Sequence, residues 1–186
     1  MKYFIKNMVC NRCIMVVEKV FEEMGKTPLR IALGEVETAD PLSPGHVDQL
    51  RSRLVSYDFE LIDDTRSQLI EKIKNTIIQL VRNDDDTPKI NYSSVIESNL
   101  NRDYTYLSTL FSEVEGTTIE KYIILQKIEL VKELLVYDEL TLSQIAVQTG
   151  YSNVAYLSGQ FKKITGLTPT HFKQIKENKR KPLDQI

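Results

Sequence analysis

Two cysteines near the N-terminus form the group of residues in this sequence that is best suited to carry out chemistry. Cys10 and Cys13 are separated by two residues, in the stretch MVCNRC that begins at Met8. The stretch lies between a predicted strand and a predicted helix, so both sulfurs can turn toward one ion. A helix N-terminus favours the thiolate, which is the form that binds metals. Because thiolates prefer soft ions, the pair is a candidate site for Cu(I) or Zn(II).

Other interpretations of the cysteine pair stay open at this point. The thiols can form a redox-switchable disulfide, or they can have no ligand at all. Thioredoxin-like exchange fits poorly, because the order of the surrounding elements differs and no proline loop follows nearby. The two histidines, His46 and His171, are too distant in the predicted layout to join the site.

The elements around the cysteines predict a small α/β unit over residues 1–64. A strand is expected at 3–9, a helix at 11–25 and a hairpin or bent strand at 29–38. A second helix follows Pro44, and a short strand ends the unit at 59–62. This β-α-β-β-α-β order is the ferredoxin-like arrangement.

The motif MxCxxC within this order resembles the heavy-metal-associated domain of copper chaperones and metal-transporting ATPases, over residues 1–63. The resemblance implies that Cys10 and Cys13 are the ligands and that Met8 is a buried anchor of the loop. It also implies that Tyr57 occupies the aromatic position facing the metal loop. Asn7 stands where this family usually has glycine.

A second pattern, LSQIAVQTGYSNVAYLSGQFKKITGLTP, begins at Leu142. Gly150 interrupts the first helical segment, and either Ser152 or Asn153 is placed to cap a second helix. That helix should bury Leu157, Phe161 and Ile164, which recur at helical spacing. Two short helices joined by a tight glycine turn are the helix-turn-helix signature, although an ordinary helical hairpin has the same pattern.

An internal repeat favours the helix-turn-helix interpretation. The stretch YLSTLFSEVEGTT begins at Tyr106 and aligns with YLSGQFKKITGLT, which begins at Tyr156, at a constant offset. The aligned identities include a core leucine, a core phenylalanine and the closing glycine. Two copies of one supersecondary unit are therefore predicted.

Residues from about 92 to 176 resemble the DNA-binding domain of the AraC/XylS transcription regulators. The matching pieces are YLSTLFSEVEGTTIEKYI, the linking helix KIELVKELL, and the long stretch from Leu140 to Lys173. The resemblance implies a seven-helix domain with two helix-turn-helix units held by one long helix. These units would read successive major grooves, separated by about 34 Å.

The faces opposite the predicted core positions supply the candidate DNA contacts. They are small, polar or basic: Thr105, Ser108, Thr109, Ser112, Asn153, Ala155, Ser158, Gly159, Lys162 and Lys163. Neither helix offers an arginine for bidentate reading of guanine, so contacts with thymine methyls and single hydrogen bonds are expected. Lys162 and Lys163 are expected to contact phosphates.

Charge argues against strong DNA binding. Residues 90–186 contain 11 Lys and Arg and 11 Asp and Glu, and Glu113 and Glu115 follow the first candidate recognition helix. Binding by one monomer is therefore expected to be weak and salt-sensitive. The alternative is a metal-binding or protein-interaction module that keeps the helix-turn-helix fold but has lost strong DNA binding.

Composition and sequence motifs also indicate whether the chain is a membrane protein, a secreted protein or an enzyme. The chain has 186 residues and a net charge of −2, and no apolar run is long enough to span a membrane. The N-terminus lacks the features of a signal peptide, and the cysteines fit a reducing compartment, so a cytoplasmic location is expected. No catalytic triad, phosphate-binding glycine loop or paired carboxylate set can be recognised, so an enzyme is not expected.

The predicted organisation is an α+β ferredoxin-like domain followed by an all-α domain with two helix-turn-helix units. The ranges are 1–64 for the candidate sensor domain, 65–88 for a helical linker, 89–176 for the DNA-binding domain and 177–186 for a flexible tail. The linker helix carries an apolar stripe that serves either as core contact, as a connector or as a dimer-forming surface. Promoter DNA is the expected partner, with a homodimer or a component of the transcription machinery as further candidates, and no membrane.

Overall fold

The N-terminal part of the chain is a four-stranded antiparallel sheet covered by two helices. A computed structural model describes residues 1–82 and 91–175. The elements follow the predicted order: β1 Lys2–Lys6, α1 Asn11–Glu23, β2 Arg30–Ala32, β3 Glu35–Glu37, α2 Pro44–Val55 and β4 Glu60–Ile62. The strands lie in the order β2-β3-β1-β4, with β1 antiparallel to both β3 and β4. The predicted β-α-β-β-α-β order is therefore confirmed.

Local signals account for these elements. Ser43 caps α2 by accepting the His46 backbone N–H, and Pro44 occupies the first turn, where its missing N–H costs nothing. The region at 29–38 is a hairpin, whose turn contains Gly34 with a φ of +77°. Helices α1 and α2 bury their apolar stripes against the sheet. The fully buried members of this core include Ile5, Met8, Val17, Val20, Phe21, Val36, Leu50 and Leu54.

The rest of the described chain is helical and has two hydrophobic cores. Its helices are α3 Thr65–Arg82, α4 Tyr92–Leu100, α5 Tyr104–Glu115, α6 Ile119–Tyr137, α7 Leu142–Gln148, α8 Val154–Thr165 and α9 Pro169–Gln174. The first core joins α3, α4 and α5 to the first half of α6. The second core joins the remainder of α6 to α7, α8 and α9. Helix α6 therefore contributes residues to both helical cores.

The apolar stripe of α3 is buried in the first of these helical cores. Ile73 and Ile77 are fully buried there together with Leu107 and Phe111 of α5. The core-contact interpretation of this stripe is therefore confirmed. The acidic run at 84–86 and the tail at 177–186, predicted as a domain boundary and a flexible end, lie outside the described residues.

Within residues 1–82 and 91–175, no helix combines the length and the apolar character needed to cross a membrane.

Candidate nucleic-acid interface

Helices α4 and α5 form the first helix pair. Helix α4 ends at Asn101, which adopts a left-handed φ of +49° and turns the chain. Asp103 then caps α5 by accepting the backbone N–H of Tyr106 at 3.1 Å. Leu107 and Phe111 are fully buried, so α5 turns its opposite face outward.

Helices α7 and α8 form the second helix pair. Thr141 and Gln144 make a capping box at the start of α7, and Gly150 turns the chain with a φ of +70°. The choice of cap for α8 is settled: the Asn153 side chain accepts the Tyr156 backbone N–H at 2.7 Å. Leu157 and Phe161 are fully buried, as predicted, whereas Ile164 is only half-buried against the same core.

Corresponding residues fill the core of each helix pair, as the internal repeat predicts. Leu107 and Leu157 fill the two cores from corresponding positions, and so do Phe111 and Phe161. Helices α5 and α8 are each 12 residues long, and each ends at a glycine. The result is a pair of similar helices presented from opposite ends of α6.

The outer face of α5 is lined with short hydroxyl side chains that bond back to their own helix. The Thr109 hydroxyl donates to the Thr105 carbonyl at 2.9 Å, and the Ser112 hydroxyl donates to the Ser108 carbonyl at 2.8 Å. Thr105 and Thr109 are exposed, whereas Ser108 and Ser112 are half-buried. Each hydroxyl oxygen still has an acceptor lone pair for an outside donor.

The outer face of α8 is smooth and ends in two lysines. Ala155 and Gly159 are exposed and Ser158 is half-buried, so a groove can approach the helix closely. Lys162 and Lys163 are exposed at the last turn, and no carboxylate pairs with either among the described residues. Small side chains with adjacent free cations suit van der Waals contact with base edges and charge contact with phosphates.

The two glutamates in the last turn of α5 pair with basic side chains of α3. The Arg66 guanidinium pairs with the Glu113 carboxylate at 2.7 Å, and the Lys74 ammonium pairs with the Glu115 carboxylate at 2.8 Å. The Lys74–Glu115 pair is half-buried, so it is screened less than an exposed pair. Lys74 also pairs with the Glu71 carboxylate of α3 at 3.3 Å, so its charge is shared between two acids. The negative charge at the end of α5 is therefore only partly offset.

The cysteines meet at the N-terminus of α1. Cys10 occupies the N-cap position, and its sulfur lies 3.5 Å from the sulfur of Cys13. Burial raises the pKa of Cys10, but hydrogen bonds from the Cys13 backbone N–H and thiol outweigh it and hold that pKa below its ordinary value. Burial raises the pKa of Cys13. The described residues contain no cluster of three or more His, Cys, Asp or Glu side chains that could hold a metal ion.

The sequence patterns do not predict a pocket that lies between the two helix pairs. Tyrosines from four separate segments line this pocket together with Lys127 of α6, and the rings of Tyr92 and Tyr151 lie next to its ammonium. Because these residues are scattered along the chain, no spacing pattern predicts that they lie together. Their common residue type is the only signal the sequence carries.

Comparison with known proteins agrees with this geometry. Residues 98–175 match the family model described as "Helix-turn-helix domain". The match supports a helix-turn-helix domain in the C-terminal half of the chain. The chain is similar to the bifunctional transcriptional activator/DNA repair enzyme AdaA of Bacillus subtilis, with 30% identity over 70 residues. It is also similar to the uncharacterized transcriptional regulatory protein YesN of the same organism, with 28% identity over 100 residues.

These similarities cover parts of the proteins. The match to AdaA spans 38% of this chain and 33% of that protein, and the match to YesN spans 53% and 27%. The chain therefore spans about a third or less of these relatives.

Two solved structures share the fold. The C-terminal domain of AraT, a response regulator from Geobacillus stearothermophilus, has 22% identity and a TM-score of 0.51, covering 66% of this chain and all of that one. An AraC-type transcriptional regulator from Chromobacterium violaceum has 18% identity and a TM-score of 0.50, covering 58% and 95%.

Proposed function

We propose that this protein is a sequence-specific DNA-binding transcription regulator of AraC type, acting through helix-turn-helix units formed by the two helix pairs. The observation that carries the proposal is the presentation of two equivalent helices, α5 and α8, by the shared helix α6. Each turns small or polar side chains outward. A hairpin that served only as packing would not need both outer faces to be compatible with a groove.

The contacts divide into two groups. Lys162 and Lys163 bind phosphates and supply the sequence-independent affinity. The base edges are read by the remaining outer-face residues: Thr105, Ser108, Thr109, Ser112, Asn153, Ala155, Ser158 and Gly159. Because no arginine makes a bidentate contact, one monomer binds weakly, and a homodimer or a second protein at the promoter raises the affinity.

The proposal is tested by selecting bound fragments of genomic DNA with the reduced full chain, at low and near-physiological salt. We expect enrichment of discrete sites, more strongly at low salt. Ala155→Glu places a negative charge on the exposed face of α8 and should abolish enrichment while circular dichroism shows an intact fold. Met15→Glu, which changes an exposed residue of α1, is the matched control and should behave as wild type.

Absence of enrichment by the wild-type chain at both salt concentrations would overturn the proposal. That outcome would favour an interaction module that retains the helical fold without DNA contact.

We further propose that Cys10 and Cys13 bind a thiophilic metal, as the resemblance to heavy-metal-associated domains implies. The supporting observation is the 3.5 Å separation of their sulfurs. This is less than twice a zinc–sulfur distance of about 2.3 Å, so one ion can reach both thiolates. Two protein ligands fall short of the four that structural zinc sites use, which favours Cu(I) over Zn(II). The bound ion would hold the N-terminus of α1 to the preceding loop.

Metal binding is tested by titrating the reduced protein with Cu(I) and with Zn(II) in the presence of a competing chelator. We expect one Cu(I) per chain, lost in Cys10→Ser and in Cys13→Ser, and weaker binding of Zn(II). Repeating the DNA selection with Cu(I) then tests sensing. If the metal binds but changes neither the DNA affinity nor the oligomeric state, the cysteines are not the sensor of this regulator.

A further inference from the structure

We propose that the cavity between the two helix pairs binds a small organic carboxylate with a planar apolar body. We call this cavity the tyrosine pocket, and its defining residues are Tyr92, Tyr104, Lys127, Tyr151 and Tyr156. Its volume is about 460 Å³, within the range of known small-molecule sites. The residues come from α4, α5, α6, the turn before α8, and α8.

Lys127 provides the positive charge that an anion would need. Its ammonium lies 5.4 Å from the centre of the Tyr92 ring and 5.5 Å from the centre of the Tyr151 ring. No carboxylate pairs with it among the described residues. Burial lowers the pKa of Lys127, which shows that its charge is poorly solvated. A charge held in such surroundings gains more from an arriving counter-ion than an exposed lysine does.

A second observation at the same place also points to a ligand. Tyr151 is only 8% exposed, and its hydroxyl has no hydrogen-bond partner within residues 1–82 and 91–175. A buried hydroxyl without a partner is costly, and native proteins seldom leave one unsatisfied. A carboxylate bound beside Lys127 would accept this hydrogen bond once binding exposes the hydroxyl, which is covered in the free protein. One ligand would thus give a counter-ion to a lysine held by cation–π contacts and an acceptor to the unpaired donor.

The other residues that line the tyrosine pocket indicate the chemistry of the uncharged part of the ligand. Tyrosine rings and the side chains of Ile123 and Ile124 offer apolar surfaces against which a planar ring can pack. Glu120, the acid that lines the pocket, already accepts a hydrogen bond from the Tyr104 hydroxyl at 2.7 Å. A single lysine without a carboxylate partner among the described residues suits a single negative charge better than a phosphate dianion. The tyrosine rings already hold one cation, the Lys127 ammonium, and its charge repels a second one.

Calorimetry with the full chain tests the proposal, using benzoate as the probe. Benzamide has the same shape without charge, and acetate has the charge without the ring. We expect one benzoate per chain, bound at least about tenfold more tightly than either comparison compound. Equal binding of benzoate and benzamide, or no binding of benzoate at millimolar concentration, would overturn the proposal.

Variants separate a ligand site from a packing arrangement. Lys127→Met should weaken benzoate binding at least about tenfold and leave benzamide unchanged, whereas Lys121→Met, an exposed lysine of the same helix, should have no effect.

Tyr151→Phe is the second variant, because it is expected to fold. Removing an unsatisfied hydroxyl should preserve or raise the thermal midpoint of the free protein, yet weaken benzoate binding about tenfold. Unchanged benzoate affinity in both Lys127→Met and Tyr151→Phe would show that the pocket is not the binding site.

Discussion

At the scale of single residues, the interface depends on which charges have partners. Glu113 and Glu115, in the last turn of α5, are paired with α3, whereas Lys162 and Lys163 of α8 have no carboxylate partner among the described residues. A count of charges along the sequence treats all of them alike. The neutral composition therefore does not describe the outer faces, where two acids of α5 have basic partners and two lysines of α8 have none among the described residues.

Replacing Lys162 with alanine should weaken binding to all DNA sequences by a similar factor. The physical reason is the loss of one phosphate contact, which should also reduce the slope of log affinity against log salt by about 1. Fluorescence anisotropy over a salt series measures both effects. Lys19→Ala on α1 removes the same charge far from the helix pairs and serves as the control. A change in sequence preference alone would mean that Lys162 does not contact phosphate.

Cys10 should be alkylated faster than Cys13 in the reduced native protein at neutral pH. The hydrogen bonds that lower the pKa of Cys10 increase its thiolate fraction, whereas burial raises the pKa of Cys13. The rate at Cys10 should fall as the pH drops through its lowered pKa. Mass spectrometry of peptides after brief iodoacetamide treatment measures the two rates. In denaturant the preference should vanish, and its persistence there would point to local sequence as the cause.

At the scale of elements, each helix pair is defined by local capping residues and by a buried apolar stripe on its second helix. Each of α5 and α8 has a side-chain cap, a closing glycine and a fully buried leucine and phenylalanine. In the second pair, Phe161 also packs edge-on against Phe172 of α9, with ring centres 5.4 Å apart. The caps set where the helices begin, and the stripes set which face remains available.

Leu157→Ala should destabilise the protein by about 2–5 kcal/mol, because Leu157 is fully buried and its loss leaves a cavity in the second helical core. Val147→Ala, at a residue that is 74% exposed on α7, should change the free energy of unfolding by less than about 0.5 kcal/mol. Urea denaturation of both variants gives the comparison. Similar losses for the two would contradict the burial that orients α7 and α8.

At the scale of the whole molecule, α3 connects the sheet to the helical region. The Asn75 side chain is buried and donates to the Leu33 carbonyl in the hairpin turn at 3.1 Å, and the Lys72 ammonium lies over the Phe4 ring. The other side of α3 carries the isoleucines of the first helical core. Helix α3 therefore contacts both the sheet and the core that contains α5.

Gly34→Ala should loosen this connection. Gly34 has a φ of +77°, and an added Cβ would overlap the amide of Asn75, so a loss of about 1–3 kcal/mol is expected. Hydrogen exchange should rise in α3 around Asn75 as well as in the hairpin. Gly45→Ala in α2, where a Cβ meets nothing within 4 Å, should be neutral or stabilising. Faster exchange confined to β2 and β3 would show that the hairpin does not hold α3.

Much of the architecture follows from local signals. The periodic apolar residues, the caps at Ser43 and Asn153 and the turn at Gly150 predict the element order. The repeat around Tyr106 and Tyr156 predicts two similar helix pairs. These signals are readable because a helix or hairpin depends on residues within a few positions of one another.

Contacts between distant segments were decided only by the tertiary structure. The sequence leaves several roles open for α3, does not show which residues pair with Glu113 and Glu115, and offers no pattern that groups Tyr92 with Tyr151. The structure buries α3 in the first helical core, pairs both acids with it and gathers the tyrosines around Lys127. Such groupings depend on how finished helices pack, and packing joins surfaces whose residues have no fixed spacing along the chain.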